Sequence, residues 1–261
     1  MLKALLWDVD GTLAETERDG HLVAFNAAFE EFGLPWRWSE ERYAELLRVA
    51  GGFERLLHFL ESEPRGSSSK DERRTLARRL HLRKNELYVG RVEEGAVPLR
   101  PGVRELMDDC ARAGVFMAIV TTTSRGNAEA LLRVNLGGDW QRRFAALVGA
   151  EDAPRKKPDP QAYRVALELL GLEAHEAVAI EDSPAGLESA LAAGVPVVMA
   201  RSRFFADAPV NGAIAAGPGL ERAAGWEPAP SETSGRIGLA QIRAWHRLGS
   251  STSPVRGRGR A

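Results

Sequence analysis

The chain reads as an α/β protein: a parallel-sheet core interrupted, directly after its first strand, by an all-helical insertion. Three observations predict this. Apolar runs of strand length alternate with amphipathic helical stretches, the pattern of βαβ units whose sheet is covered on both faces. Between Asp19 and Arg91 there is almost no strand signal. Acids, hydroxyls and a lysine stand just beyond the apolar runs, at the strand ends where open parallel sheets bind ligands.

The elements follow in order. The run Ala4 to Trp7 delivers Asp8 and Asp10 into Gly11-Thr12. Leu22, Phe25, Phe29 and Phe32 then recur at helical spacing, and Gly33 stands where that helix should end. Arg42 to Val49 and Glu54 to Leu60 read as short helices on either side of Gly51-Gly52. Pro64 to Glu72 reads as a polar loop, and a basic helix runs from Arg73 to about Val92, with Leu76, Leu80 and Leu87 on one side. Past Pro101-Gly102, the stripe Val103, Leu106, Met107 and Cys110 marks a helix that returns the chain to the core. Strands are expected at Val115 to Val120, Ala145 to Gly149, Ala177 to Glu181 and Val195 to Ala200, with helices at Gln161 to Leu170 and Ala185 to Ala193. Residues 1–15 and 96–225 should therefore form a discontinuous core, 16–95 a helical domain, and 226–261 a C-terminal extension. After His246 the tail carries four arginines and no acid, so its final fifteen or so residues read as disordered.

Composition narrows the function classes. With 261 residues, 44% of them hydrophobic, the chain has ample material for a core. A net charge of −1 argues against a polyanion-binding protein. The N-terminal apolar run is too short for a signal peptide, and no segment offers the roughly 20 apolar residues of a membrane span. A cytoplasmic monomer with no membrane or nucleic-acid partner is expected. The single cysteine, Cys110, lies on an apolar helix stripe and offers neither an internal disulfide nor a metal-thiolate cluster.

The polar residues at the strand ends are Asp8 and Asp10, Thr121 and Thr122, and Glu181 and Asp182, with Lys157 in the loop RKKPDP. Taken singly, each fits a turn, a helix cap or a surface charge. Together they make one chemistry. Four neighbouring carboxylates would repel one another unless a hard divalent cation sat among them, and oxygen ligands favour Mg²⁺. Residues i and i+2 of an extended segment face one way, so Asp8 and Asp10 can act on one substrate, one attacking and the other handling a proton. A hydroxyl, turn amides and a lysine suit an oxyanion, most simply a phosphate.

Asp8-x-Asp10-Gly11-Thr12, Thr121, Lys157 and Glu181-Asp182, in that order around a helical insertion, resemble the four motifs of the haloacid-dehalogenase-type phosphohydrolases. The resemblance covers Leu2 to about Ala200 and implies a Rossmann-like core with a helical cap. It implies that Asp8 is the nucleophile that becomes an aspartyl-phosphate, and that Asp10 protonates the leaving oxygen and then activates water. Thr121 and the amide of Thr122 would hold the phosphoryl oxygens, although Thr122 or Thr123 can supply that hydroxyl if the strand ends later. Lys157 would neutralise charge. Mg²⁺ would be held by Asp8, the carbonyl of Asp10 and Asp182, with Glu181 a ligand or a partner of Lys157.

Within the family, the stretches AETERDGHLVAFNAAFEEFGLPWRWSEERYAELLRVAGGFER and HLRKNELY, with AIVTTTS, KKPDP and AIEDS, are similar to the CbbY-type sugar-bisphosphate phosphatases. This implies a small phosphorylated sugar, xylulose 1,5-bisphosphate, as substrate. Glu17 and His21 would touch the sugar, while Tyr43, Gly51, Gly52, Arg55 and Lys84 would take the second phosphate. Glycines let amides approach an anion, and Arg55 can bind phosphate bidentately. The turn reads GGFER where the subgroup has GGKER, so Phe53 replaces an expected lysine. If that lysine grips the distal phosphate, its loss lowers affinity or favours a less charged substrate; if it is peripheral, little changes. A phosphoglucomutase-like isomerase, a phosphoglycolate-type phosphatase and a non-catalytic binding protein on the same fold are the alternatives.

Overall fold

The computed structural model describes residues 1–63, 69–232 and 234–251. Six parallel strands form one sheet in the order β3-β2-β1-β4-β5-β6. The strands are β1 (Ala4–Trp7), β2 (Phe116–Val120), β3 (Ala146–Val148), β4 (Ala177–Glu181), β5 (Val197–Ala200) and β6 (Ala215–Gly217). Their near-continuous apolar character follows from burial on both faces. Leu5, Trp7, Met117, Ile119, Val178 and Ile180 feed one core layer. The alternate residues Leu6, Ala118, Val120 and Ala179 feed the other. The helices that close the layers are α5 (Val103–Arg112), α6 (Arg125–Leu136), α7 (Gln161–Leu170), α8 (Pro184–Ala192) and α9 (Leu239–Ser251).

Register brings the polar residues together. Trp7 pairs with Ile119 on one side and with Ile180 on the other. One residue on, Asp8 therefore lies level with Val120 and Glu181, and its amide donates to the Ile180 carbonyl. A central β1 thus has the ends of β2 and β4 as immediate neighbours.

Between β1 and α5, Glu17–Leu22 winds as a π-helical turn and is followed by α1 (Val23–Glu31), α2 (Glu40–Leu46), α3 (Gly52–Ser62) and α4 (Lys70–Glu93). These helices enclose an aromatic core of their own, with Phe25, Phe29, Trp38, Tyr43, Phe59 and Leu80 buried. In pairs such as Phe29–Trp38 and Trp38–Phe59 the ring edges meet faces at centroid distances of 4.9 and 5.1 Å, a favoured geometry.

Three expectations need correction. The loop expected over Pro64 to Glu72 ends early, because Ser69 and Glu72 form a reciprocal capping box that starts α4 at Lys70; residues 64–68 lie outside the described residues. β6 was not anticipated, since its AAG sequence has neither β-branched residues nor alternation. The tail is ordered further than expected: α9 extends to Ser251, and Trp245 and His246 are buried within it. Trp245 stacks on Trp226 at 5.0 Å, and both belong to the same core layer as Trp7. Residues 252–261 lie outside the described residues. Among the described residues no helix is long and apolar enough to cross a membrane.

If the C-terminal helix is part of the core, Trp245→Ala should lower the unfolding free energy by roughly 3–5 kcal/mol, the usual cost of a buried Trp-to-Ala cavity. Urea unfolding measures this; a loss below about 1 kcal/mol would mean that the helix is an appendage.

Candidate active site

At the carboxyl ends of β1 and β4, Asp8, Glu181 and Asp182 each place a carboxylate oxygen within 4.8 Å of the others, and all three are buried. Lys157 reaches into this group from the loop after β3. Its ammonium donates to Asp8 Oδ1 at 2.7 Å, Glu181 Oε1 at 2.6 Å and the Val120 carbonyl at 2.8 Å. Tyr163, on α7, donates its hydroxyl to the same Glu181 oxygen at 2.6 Å. The lysine is thus tied to three strands at once.

One ammonium does not balance three buried carboxylates. Burial pushes the Asp8 carboxyl up to about 8 against the pull of Lys157, with Glu181 and Asp10 adding to the rise. Asp182 is also raised well above the carboxylate range, by burial and then by the charges of Asp8 and Glu181. Gly11 makes this crowding geometrically possible. At φ +85° a side chain would be strained there, and a Cβ would lie 2.1 Å from Asp182 Oδ2. Hard oxygen donors with surplus negative charge fit a divalent cation of the Mg²⁺ type.

Asp10 is held differently. Thr16 donates to its Oδ1 at 2.6 Å, and His21 Nε2 lies 3.1 Å from the same atom. The His21 ring is buried, stacks on Tyr88 at 4.1 Å, and leaves Nδ1 without a partner, so its one paired nitrogen faces Asp10. Burial would raise the Asp10 carboxyl, but the His21 charge and the His21 and Thr16 hydrogen bonds prevail and hold it at about 2. Two carboxylates two residues apart therefore sit in opposite electrostatic settings: without a cation Asp8 keeps its proton while Asp10 is ionised, and a cation among Asp8, Glu181 and Asp182 would bring Asp8 to the ionised form that a nucleophile needs.

These groups open onto a cavity of about 520 Å³ between the sheet ends and the helical insertion. Of the residues singled out in the sequence, Asp8, Asp10, Glu17, His21, Gly51, Gly52, Arg55, Lys84, Thr122 and Lys157 line it. Tyr43 does not. It is fully buried, donating to Glu17 Oε2 at 2.5 Å and accepting from Arg55 Nη1 at 2.9 Å, so it orients those two residues rather than facing a ligand. Thr121 is buried beneath the rim, where its hydroxyl accepts from the Thr123 amide at 3.1 Å. Thr122, Thr123 and Ser124 form the rim itself, at the N-terminus of α6. Glu181 and Asp182 lie beneath the cavity, not in its lining.

The far wall is cationic. The Lys84 ammonium lies 4.9 Å from the Phe25 ring centroid, and burial pushes it down to about 8 although the Glu17 and Asp10 carboxylates oppose the shift. His81 beside it is held down to about 4, first by burial and then by the charges of Lys84 and Lys156. The sequence reading missed His81, Lys156, Asn127 and Tyr163. In the sequence Tyr163 falls among the apolar residues of the helix Gln161 to Leu170, and Lys156 is simply the lysine before Lys157, so neither stands out. Only the fold brings Lys156 beside the Gly51 turn and Asn127 within 3.2 Å of Asn85 on α4.

Residues 2–194 match the model of the haloacid dehalogenase-like hydrolases. With the acidic trio and its lysine at the strand ends, that match defines the class: the protein belongs to the haloacid dehalogenase-like hydrolases. Within the class it is of CbbY type. It is 45% identical over 253 residues to the plasmid-encoded protein CbbY of Cupriavidus necator, covering 94% of this chain and 97% of that one. The crystal structure of CbbY from Rhodobacter sphaeroides in complex with phosphate superposes with a TM-score of 0.74 at 37% identity, over 82% of this chain and 92% of that one. A mutant of the same R. sphaeroides protein, crystallised with xylulose 1,5-bisphosphate, matches with the same TM-score, identity and coverage.

The raised Asp8 carboxyl has a thermodynamic signature. Its folded value exceeds the unfolded one, so its contribution is fully present below about pH 4 and is lost as pH rises through about 8. Metal-free protein should therefore melt at a lower temperature at pH 8 than at pH 5. Added Mg²⁺ should raise the melting temperature more at pH 8, because it replaces the bound proton. Calorimetry in chelator and in Mg²⁺ at the two pH values tests this; an equal Mg²⁺ effect at both would detach the metal from the acidic trio.

Proposed function

We propose that this protein is a Mg²⁺-dependent phosphatase that hydrolyses a small sugar phosphate, xylulose 1,5-bisphosphate, through an aspartyl-phosphate on Asp8. The observation that carries the reading is the two-sided cavity. One wall holds Asp8, Asp10 and Lys157, and the opposite wall holds Arg55, Lys84 and the Gly51-Gly52 turn. A ligand with one anionic end needs one such wall, and a bisphosphate uses both. The xylulose 1,5-bisphosphate complex of the R. sphaeroides relative supports the same choice.

The roles follow from the geometry. Asp8, Asp182 and Glu181, with the Asp10 carbonyl, would hold the cation, which when bound offsets the charge of a phosphoryl group entering a carboxylate-rich site. Lys157 fixes the Asp8 carboxylate at 2.7 Å and keeps it aimed at phosphorus. Asp8 attacks, the bond from phosphorus to the sugar oxygen breaks, and that oxygen takes a proton delivered through Asp10, which Thr16 and His21 orient. Water then gives a proton to the Asp10 carboxylate and attacks phosphorus, so phosphate leaves and Asp8 is restored. The hydroxyls of Thr122 and Thr123 and the Thr122 amide at the rim receive the equatorial oxygens, while Thr121 below holds the Thr123 amide in place. Glu17, held by Tyr43, meets the sugar hydroxyls. Phe53 lies outside the cavity lining, so its replacement of a lysine leaves the wall intact.

Asp8→Asn should lower kcat by at least about 10⁴-fold while leaving the thermal unfolding transition in place, and chelation of Mg²⁺ should abolish turnover. Release of inorganic phosphate from a panel of phosphosugars measures both. Stoichiometric exchange of phosphate between sugar positions without release would establish a mutase instead.

Lys84 gives a pH signature. With its ammonium held at about 8, it is charged below that pH and neutral above it. The KM for a bisphosphate should rise as pH passes about 8, and Lys84→Arg should flatten that rise because a guanidinium stays charged. A KM that does not change between pH 7 and 9.5 would remove Lys84 from the distal-phosphate wall.

A further inference from the structure

Lys156 lines the cavity but has no part in the chemistry assigned to its neighbour Lys157. It comes from the core loop after β3, yet its ammonium meets the insertion, 2.6 Å from Glu54 Oε2 in the first turn of α3. There it lies over the Gly51-Gly52 turn. A Cβ on Gly51 would sit 2.3 Å from Lys156 Nζ and 2.9 Å from its Cδ, so the bare glycine is what lets the lysine approach. Gly51 opens α3 with no side-chain cap, leaving the first amides of that helix directed at the same place.

Phe53 stands beside this point and turns away. Its ring packs under the Arg74 guanidinium at 5.8 Å and edge-on to His81 at 6.2 Å, outside the cavity lining. The cap turn therefore contributes no ammonium from position 53, and the core contributes one from position 156. Arg55, another cation of the lining, is partly committed to the Leu46 carbonyl and the Tyr43 hydroxyl. The Lys156 side chain is 22% exposed and pairs with a single, half-exposed carboxylate, so a more highly charged anion can take it over.

Building on the bisphosphate reading, we propose that Lys156 is a specificity residue for the second phosphate, and that Glu54 holds its ammonium over the Gly51-Gly52 turn until substrate arrives. The consequence is mechanical as well as electrostatic. Lys156 belongs to the core and the glycine turn to the insertion, so an anion bound by both ties the two together. A monophosphate that fills only the Asp8 end leaves this tie unmade. Selection for the second phosphate and closure over the first then depend on one contact.

The test compares Lys156→Gln and Lys156→Arg with the wild-type enzyme on xylulose 1,5-bisphosphate and on a monophosphorylated pentulose. The readout is the ratio of kcat/KM for bisphosphate over monophosphate. It should fall about tenfold or more in Lys156→Gln, chiefly through KM, and stay within about threefold of wild type in Lys156→Arg. An unmoved ratio in Lys156→Gln, or an equal loss on both substrates, would overturn the proposal. Failure of the underlying reading looks different: the wild-type enzyme itself would show no preference for the bisphosphate, before any variant is compared.

Discussion

A buried ammonium between two buried carboxylates is the contact on which this molecule turns. Lys157 bridges Asp8 and Glu181 and also bonds the Val120 carbonyl, so it ties together the ends of β1, β4 and β2. Taking such charges out of water is repaid only by close pairing, and loss of one partner from such a set costs roughly 3–5 kcal/mol. Here the pairing is deliberately incomplete, because Asp182 adds a third carboxylate with no ammonium of its own. That surplus of carboxylates suits the strand ends to a divalent cation, which in the proposed reaction would offset the charge of an entering phosphate. The central position of β1 in the sheet is the structural precondition, since it places Asp8 between the ends of β2 and β4.

The helical insertion answers with the opposite sign. Its aromatic core is largely its own, while Ala24, Tyr88 and Val92 reach into the sheet-side core, so Glu17, Arg55 and Lys84 are presented from a packed wall. The Glu17–Tyr43–Arg55 chain shows how that wall is organised: the phenol is buried between an acid and a guanidinium and satisfies both. Apart from the buried His21–Asp10 contact, the ion pairs that join insertion to core among the described residues, Lys156–Glu54, Arg203–Glu40 and Arg133–Glu93, involve partly exposed side chains. Pairs of that kind contribute little each. Those buried contacts of Ala24, Tyr88 and Val92, more than the exposed pairs, hold the wall against the core.

Much of this was legible from residue order. Strand β1 and its two aspartates, Lys157 before Pro158, and Glu181-Asp182 after AVAI all occur where the chain changes from apolar to polar. The bounds read for β4 coincide with the observed ones, those of β2 differ by one residue at its start, and those of β3 by one residue at each end. Weak local signals failed. β6 is three small residues, and α9 follows a stretch rich in proline and glycine and was taken in part for tail. Tyr43 shows another kind of limit. Its place in the cap was clear, but whether its hydroxyl met a ligand or a neighbouring side chain depended on packing from α3 and on the π-helical turn.

By itself, the sequence determined the class of fold, the identity of the acidic and basic groups at the strand ends, and the chemistry those groups can perform. Each of these depends on local pattern: period two or 3.6, a cap, an i and i+2 pair. Tertiary structure decided how the groups are charged and which of them face the ligand. It set Asp8 and Asp10 apart by giving one an ammonium and buried acids, the other a histidine and a hydroxyl. It moved Tyr43 behind the wall and brought Lys156 across from the core to the glycine turn. Burial and the positions of charges distant in sequence govern these outcomes, and neither quantity exists until the chain has folded.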